Sequence, residues 1–171
     1  MVFKTIKILN MKELILKVIS GGQTGADTGG LKAAVKAGIK TGGAAPKGYK
    51  TEDGSNPELG TIYGLYEFPS DQYPVRTKEN VVQSDGTLIF SKGSTPGSAL
   101  TKKTCEKVGK PFLWLNPFAS GNEKPISDFI RMVKAKNGRA IVLNIAGNRE
   151  SKSPGIEKAV EEVLYMVFSG K

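Results

Sequence analysis

The chain of 171 residues, 39% hydrophobic and 24% charged, has the size and composition of one globular domain, which removes roughly 70% of its unfolded surface from water. Histidine is absent and Cys105 is the one cysteine, which excludes an intrachain disulfide, Ser-His and Cys-His nucleophile pairs, imidazole acid–base chemistry and the usual zinc or haem ligation. No stretch reaches the roughly 20 apolar residues of a membrane span and no leader is apparent, so a soluble cytoplasmic protein with no membrane partner is expected.

In chain order, Leu14 to Ile19 is an apolar run ending in Ser20-Gly21-Gly22, the pattern of a buried parallel strand entering a turn. Leu31, Ala34 and Val35 then share a helical face, and Gly38 stops a helix over 25–38. Residues 41–56 are polar and rich in Gly and Pro, predicting a long loop after a short strand near 39–43. Leu65 to Phe68 reads as an edge strand, and residues 75–84 as a helix. Thr87 to Phe90 is a buried strand leading into a second Gly- and Ser-rich turn over 91–98 and another helix. Strands at 112–115 and 140–145 flank a helix with Ile126, Phe129, Ile130 and Val133 on one side. The last helix is expected to be capped by Ser153, with Pro154 in its first turn and Ile156, Val160, Val163, Leu164 and Val167 facing the core.

This alternation predicts an α/β fold: a single-domain, Rossmann-like three-layer sandwich with a mostly parallel sheet and helices on both faces. Residues 14–171 form the ligand-binding domain, and residues 1–13, which carry Phe3, Ile6, Ile8 and Leu9, form an N-terminal extension or an added edge strand.

The ligand is expected at the strand-to-helix loops. In Ser20, Gly21, Gly22, Gln23, Thr24, Gly25, Ala26 and Asp27, glycines let a backbone approach an anion, the opening amides of the helix point at it, and Ser20, Gln23 and Thr24 add donors. The spacing is neither a Walker loop nor a dinucleotide fingerprint, so it predicts generic phosphate binding. A tight turn, with Asp27 serving the helix dipole, is the structural alternative. Gly93, Ser94, Gly97 and Ser98 form a second loop of the same kind. Arg76 and Arg149, two of only four arginines, lie in polar segments beside strand ends and offer bidentate recognition of an oxyanion, with Lys47 as a further cation. Asp27, Asp53, Glu67 and Asp85 sit at loop-like positions that suit a ribose hydroxyl or a general base. Cys105, inside a helix, reads as buried.

The net charge of +9 suits an anionic partner, but Lys32, Lys36, Lys102, Lys103, Lys107 and Lys158 are scattered over helices as on a solvated surface. A small phosphorylated or oxyanionic ligand is therefore favoured over nucleic acid.

Taken with Ala45-Pro46-Lys47-Gly48, Glu52-Asp53-Gly54, Arg76-Thr77, Asn80-Val81 and Ser84 to Leu88, the 20–27 segment resembles the molybdenum-cofactor carrier family. That family is the circularly permuted YpsA-like branch of a Rossmann superfamily that includes the Lonely Guy nucleotide hydrolases and the DNA-processing protein. Gly93-Ser94, Gly97, Leu100-Thr101, Ala146-Gly147, Arg149 to Ser151 and Pro154 to Ile156 extend the resemblance over about residues 15–168. Thr28 stands where the family often has a basic residue, Ala44-Ala45 replaces a Trp-Cys-like pair, and Tyr49 occupies a common arginine position.

The resemblance implies self-association into a homo-oligomer and a pocket for a molybdenum cofactor or nucleotide-like phosphorylated ligand, Asp85 being counted among its residues. It implies no defined reaction, since the Pro-Gly-Gly-x-Gly-Thr loop of the Lonely Guy hydrolases is missing. Two alternatives stand beside a carrier: an N-glycosidase cleaving nucleotides with Asp85 or Glu67 assisting water, and a basic nucleic-acid interaction module.

Overall fold

The computed structural model describes residues 9–171. Residues 1–8, including Phe3, Ile6 and Ile8 of the expected extension, lie outside it. Met11–Leu14 make a 3-10 turn, and Met11 and Leu14 are buried in the main core. Among the described residues the core thus includes Met11, which precedes the expected boundary at residue 14.

Among the described residues the central sheet has five strands in the order β2-β1-β9-β7-β8, all parallel. They are β1 (Ile15–Ser20), β2 (Thr41–Gly42), β7 (Gly86–Phe90), β8 (Phe112–Leu115) and β9 (Ile141–Gly147). Every residue of β7 is buried, as a strand covered on both faces must be, and its apolar run reflects that. α1 (Ala26–Ala37), α5 (Glu123–Asn137) and α6 (Ile156–Ser169) pack on one face, and α3 (Tyr73–Gln83) and α4 (Pro96–Val108) cover the other. This is the expected Rossmann-like α/β sandwich. Among the described residues no helix is long and apolar enough to cross a membrane.

The pairing of α1 with α6 is tight because Gly29 exposes bare backbone: a Cβ there would stand 2.5 Å from the Glu157 carbonyl oxygen. Ile156, Val160, Leu164 and Phe168 of α6 are fully or almost fully buried, and each contributes roughly 1.5–3 kcal/mol through apolar burial. Lys32 and Lys36 of α1 pair with Glu157 and Glu161 of α6 along the rim.

Two expectations need correction. The long 41–56 loop is a folded flap: β3 (Ala44–Ala45) pairs with β6 (Tyr66–Glu67), and β4 (Lys50–Thr51) with β5 (Gly54–Ser55), while α2 (Glu58–Thr61) follows. Leu31, Ala45, Leu59 and Leu65 form a second small core beneath it, backed by Tyr49 and Tyr63. Nor does Ser153 cap α6. The capping residue is Gly155 at φ 88°, and the Glu150 carboxylate accepts the Gly155 and Glu157 N–H groups, at 2.5 and 3.0 Å. A carboxylate outcompetes a hydroxyl at a helix N-terminus because it also meets the positive end of the dipole.

Candidate functional site

β1 crosses through α1 to β2 on one side of the sheet, and β7 crosses through α4 to β8 on the other. The chain thus diverges around β9, and the loops after β1, β9 and β7 meet at the carboxyl ends of the strands, where open α/β sheets place their ligands. Asn148 joins them. Its N–H donates to the Phe90 carbonyl at 3.0 Å, its carbonyl accepts the Ala26 N–H at 3.1 Å, and its Oδ1 lies 2.8 Å from Ser91 Oγ.

A cleft in three neighbouring parts, which share lining residues, opens there. The outer part, about 210 Å³, lies between the flap, the loops after β1 and β9 and the start of α3, and is lined by Gln23, Lys50, Glu52, Tyr73, Arg76 and Arg149. A narrow inner part reaches Gly21, Asp27, Asn80, Thr101 and Asn144. The third, about 620 Å³, is bounded by Tyr73, Pro96, Gly97, Leu100, Gly147 and Arg149. Tyr73 lines all three.

Arg76 is the central cation. It comes from the second turn of α3, is only 4% exposed, and lies against the Tyr73 ring with Cζ 4.7 Å from the centroid. Its Nη1 reaches the Gly21 carbonyl at 3.4 Å, whereas Nε is buried without a hydrogen-bond partner. Among the described residues the guanidinium is in no ion pair, although a buried cation is costly unless paired. Arg149, exposed on the loop after β9, and Lys50, on the flap, add positive charge at the mouth.

Asp27 faces the same inner cleft and is 7% exposed. It accepts the Gln23 N–H at 3.2 Å and faces the Gly21 N–H. Burial pushes its carboxyl up to about 6, against the opposing pull of Arg76, those amides and Arg149. Burial also raises the Tyr73 hydroxyl, helped by the Asp27 charge.

Several of the amides expected to form a cradle in the first loop are engaged within the chain. Asp27 takes the Gln23 amide, Ser20 Oγ accepts the Gly22 N–H at 3.1 Å, and Gln23 Oε1 accepts the N–H groups of Thr24 and Glu52 at 3.0 and 2.9 Å. The Thr24 hydroxyl bonds Glu52, which also accepts the Ser151 N–H at 3.1 Å and the Ser151 hydroxyl, so the flap is clamped to two loops at once. Gly22 lies against Leu59 and Leu65, and Gly25 against the backbone of residues 148–150. These two glycines admit other parts of the chain.

Of the sequence candidates, Gly21, Gln23, Asp27, Arg76, Gly97 and Arg149 are brought together along the cleft. Ser20, Gly22, Thr24 and Gly25 support it from behind. Ser98 is buried in the capping box of α4, and Gly93 and Ser94 are exposed and do not line the cleft. Lys47 is exposed outside it, and Lys50 takes the place expected of it, because the turn at 47–49 reverses the chain between them. Asp85 is misplaced by the sequence reading: it precedes β7 at the opposite end of the sheet, where Arg139 grips it through two bonds of 2.9 Å and the Val142 N–H through one of 2.8 Å. Glu67 is exposed on β6, and binds the Gly48 N–H at 2.6 Å. Neither carboxylate reaches the cleft to assist water. Tyr73 and Lys50 escaped sequence reasoning, and Glu52 entered it only within a motif of the resemblance, with no role; the one available signal was Tyr73-Pro74 opening a helix that carries Arg76 one turn on.

The model of the circularly permuted YpsA family of SLOG proteins matches residues 18–168. The chain belongs to that family. The crystal structure of a putative molybdenum carrier protein from Syntrophus aciditrophicus is similar to this member at 42% sequence identity and a TM-score of 0.79, covering 91% of this chain and 96% of that one. No protein of curated function matches.

The donors of this cpYpsA-family cleft are guanidinium, ammonium, amide and hydroxyl groups, chemistry suited to the oxygen atoms of an anion. The thiol is not among them: Cys105 is fully buried in α4, and its ionisation is pushed up by that burial.

Proposed function

We propose that this protein binds and carries a small anionic ligand, of the class of the molybdenum cofactor or a nucleotide-like phosphate, in the cleft at the carboxyl ends of β1, β9 and β7. The buried guanidinium of Arg76 carries this reading: its Nε has no hydrogen-bond partner and, among the described residues, it makes no salt bridge, even with the nearby Asp27, so an external anion can satisfy it. Arg76 would take the phosphate or oxyanion together with Lys50 and Arg149. The 620 Å³ compartment beside Tyr73 and Leu100 would take the ring-bearing body, being within the roughly 300–1,000 Å³ of small-molecule sites. The description of the Syntrophus aciditrophicus protein as a molybdenum carrier supports the cargo class.

Thermal stability against phosphate, molybdate, nucleoside monophosphates, ADP-ribose and molybdenum cofactor tests the reading. A ligand at about 100 times its Kd adds roughly 2.7 kcal/mol, and Arg149→Ala or Lys50→Ala removes that gain without changing the stability of the protein alone. No shift with any compound overturns it.

A hydrolytic reading is favoured by one observation, the Asp27 carboxyl held at about 6 inside the cleft, in the range of a general acid or base at neutral pH. Release of free base from a nucleotide panel, lost in Asp27→Asn, would establish it. Self-association belongs to the same proposal and is checked by size-exclusion chromatography.

A further inference from the structure

We propose that Asp27 makes the cleft selective for anions that bring a hydrogen-bond donor, an oxyanion that keeps a proton or one attached to a hydroxylated body, and makes it reject fully ionised oxyanions such as sulfate and molybdate. The inference rests on the proposed anion-binding role of the cleft and deepens it by naming the ligand class.

The inner cleft holds two opposed charges in one place. Arg76 brings an unpartnered Nε, and Asp27 brings a carboxylate whose Oδ2 would lie 3.1 Å from a Cβ on Gly21, where the same Cβ would lie 3.0 Å from Arg76 Nε. An anion drawn in by the guanidinium therefore arrives beside a resident carboxylate. The groups facing Asp27 are Arg76 and Tyr73 from α3, Arg149 from the loop after β9, and the amides of Gly21 and Gln23 from its own loop. The cations attract both kinds of anion, so they do not discriminate.

The carboxylate does. It accepts hydrogen bonds and cannot donate, so it bonds a ligand O–H but repels a bare oxyanion oxygen. At a carboxylate only 7% exposed that repulsion is screened much less than on the surface. When Asp27 takes up a proton it becomes a donor and the preference disappears. Its raised pKa of about 6 puts that change within reach of ordinary buffers.

Inorganic phosphate and sulfate make the direct test, since near pH 8 both are dianions and only phosphate retains a proton. Titration calorimetry of the full chain is expected to give phosphate about tenfold or more tighter than sulfate near pH 8, with the preference collapsing near pH 5. Asp27→Asn should bind the two within a factor of about three at the higher pH. Ribose 5-phosphate, dianionic near pH 8, separates the two sources of the donor: tight binding assigns it to a sugar hydroxyl, and binding as weak as sulfate assigns it to the oxyanion's own proton. Equal affinity of wild type for phosphate and sulfate near pH 8, or an unchanged ratio in Asp27→Asn, overturns the inference. Should the variant fail to fold, a wild-type ratio that stays flat from about pH 8 to 5 does so. If neither anion binds, the proposed function fails and this inference with it; equal binding that Arg149→Ala abolishes removes the selectivity alone.

Discussion

An ideal Cβ on Gly21 would stand 3.0 Å from both Cζ and Nε of Arg76. The guanidinium of α3 rests on bare backbone at the end of β1, and this glycine seats an arginine. The site is thereby built across two elements that are far apart in sequence, and the loop glycine and the helix arginine depend on one another.

Gly21→Ala should therefore act through Arg76. The new methyl group displaces the end of a long side chain, so folding stability is expected to fall by only about 1–2 kcal/mol. Affinity for phosphate should fall about tenfold as the guanidinium leaves its seat. Denaturant titration and calorimetry on the same preparation separate the two effects. A variant that binds normally would mean that the position of Arg76 is immaterial.

The strands and helices were readable because their apolar residues recur with the period of a buried strand or an amphipathic helix, as in Thr87 to Phe90 and Ile156 to Val167. The flap was not, since its strands are two residues long and its small core is made by Leu31 of α1 meeting Ala45, Leu59 and Leu65. No local pattern encodes such a meeting. The site divided in the same way: the loop composition placed Gly21, Gln23 and Asp27 at a strand end, but composition does not say which amides the chain itself consumes. Asp85 misled because a carboxylate before a strand looks the same at either end of the sheet, and its partner Arg139 lies 54 residues away in sequence.

Glu52 offers a test of how the flap is held. Its carboxylate joins Thr24 to Ser151, and these bonds hold its ionisation below the usual carboxylate range against the opposing effect of burial. Glu52→Ala should release the β4–β5 hairpin and raise amide exchange over 50–55 and 150–152, leaving exchange in β7 and β9 unchanged. Unaltered exchange in the hairpin would assign its order to the Leu59–Leu65 core alone.

Asp85 should prove structural. Burial raises its pKa, but the paired bonds from Arg139 and the Val142 N–H outweigh it and hold the carboxyl low. The folded chain thus releases this proton more readily than the unfolded chain, so the contribution is present above the ordinary carboxylate range and is lost as pH falls through the lowered value. With Arg139 more than half exposed, solvent screening keeps the contribution of the pair small. Asp85→Asn is expected to lower stability modestly at neutral pH and to leave ligand affinity unchanged. Lost binding would return Asp85 to the site.

Asp27 carries the opposite sign. Its pKa rises from 3.8 to about 6 on folding, chiefly by burial, so between those values the folded chain keeps a proton that the unfolded chain has released. Its contribution is complete below the lower value and is lost as pH climbs through the upper one, a span worth at most roughly 3 kcal/mol. Asp27→Asn should then be more stable than wild type near pH 7 by roughly 1–3 kcal/mol, with the difference vanishing near pH 4. Urea titrations across that range check it, and the variant-minus-wild-type difference cancels the opposing contributions of Asp85 and Glu52. Stability curves that run parallel from about pH 4 to 7 would mean that burial does not cost Asp27 its charge. A stabilised variant that has lost its discrimination between phosphate and sulfate would show a carboxylate kept for function at the expense of the fold.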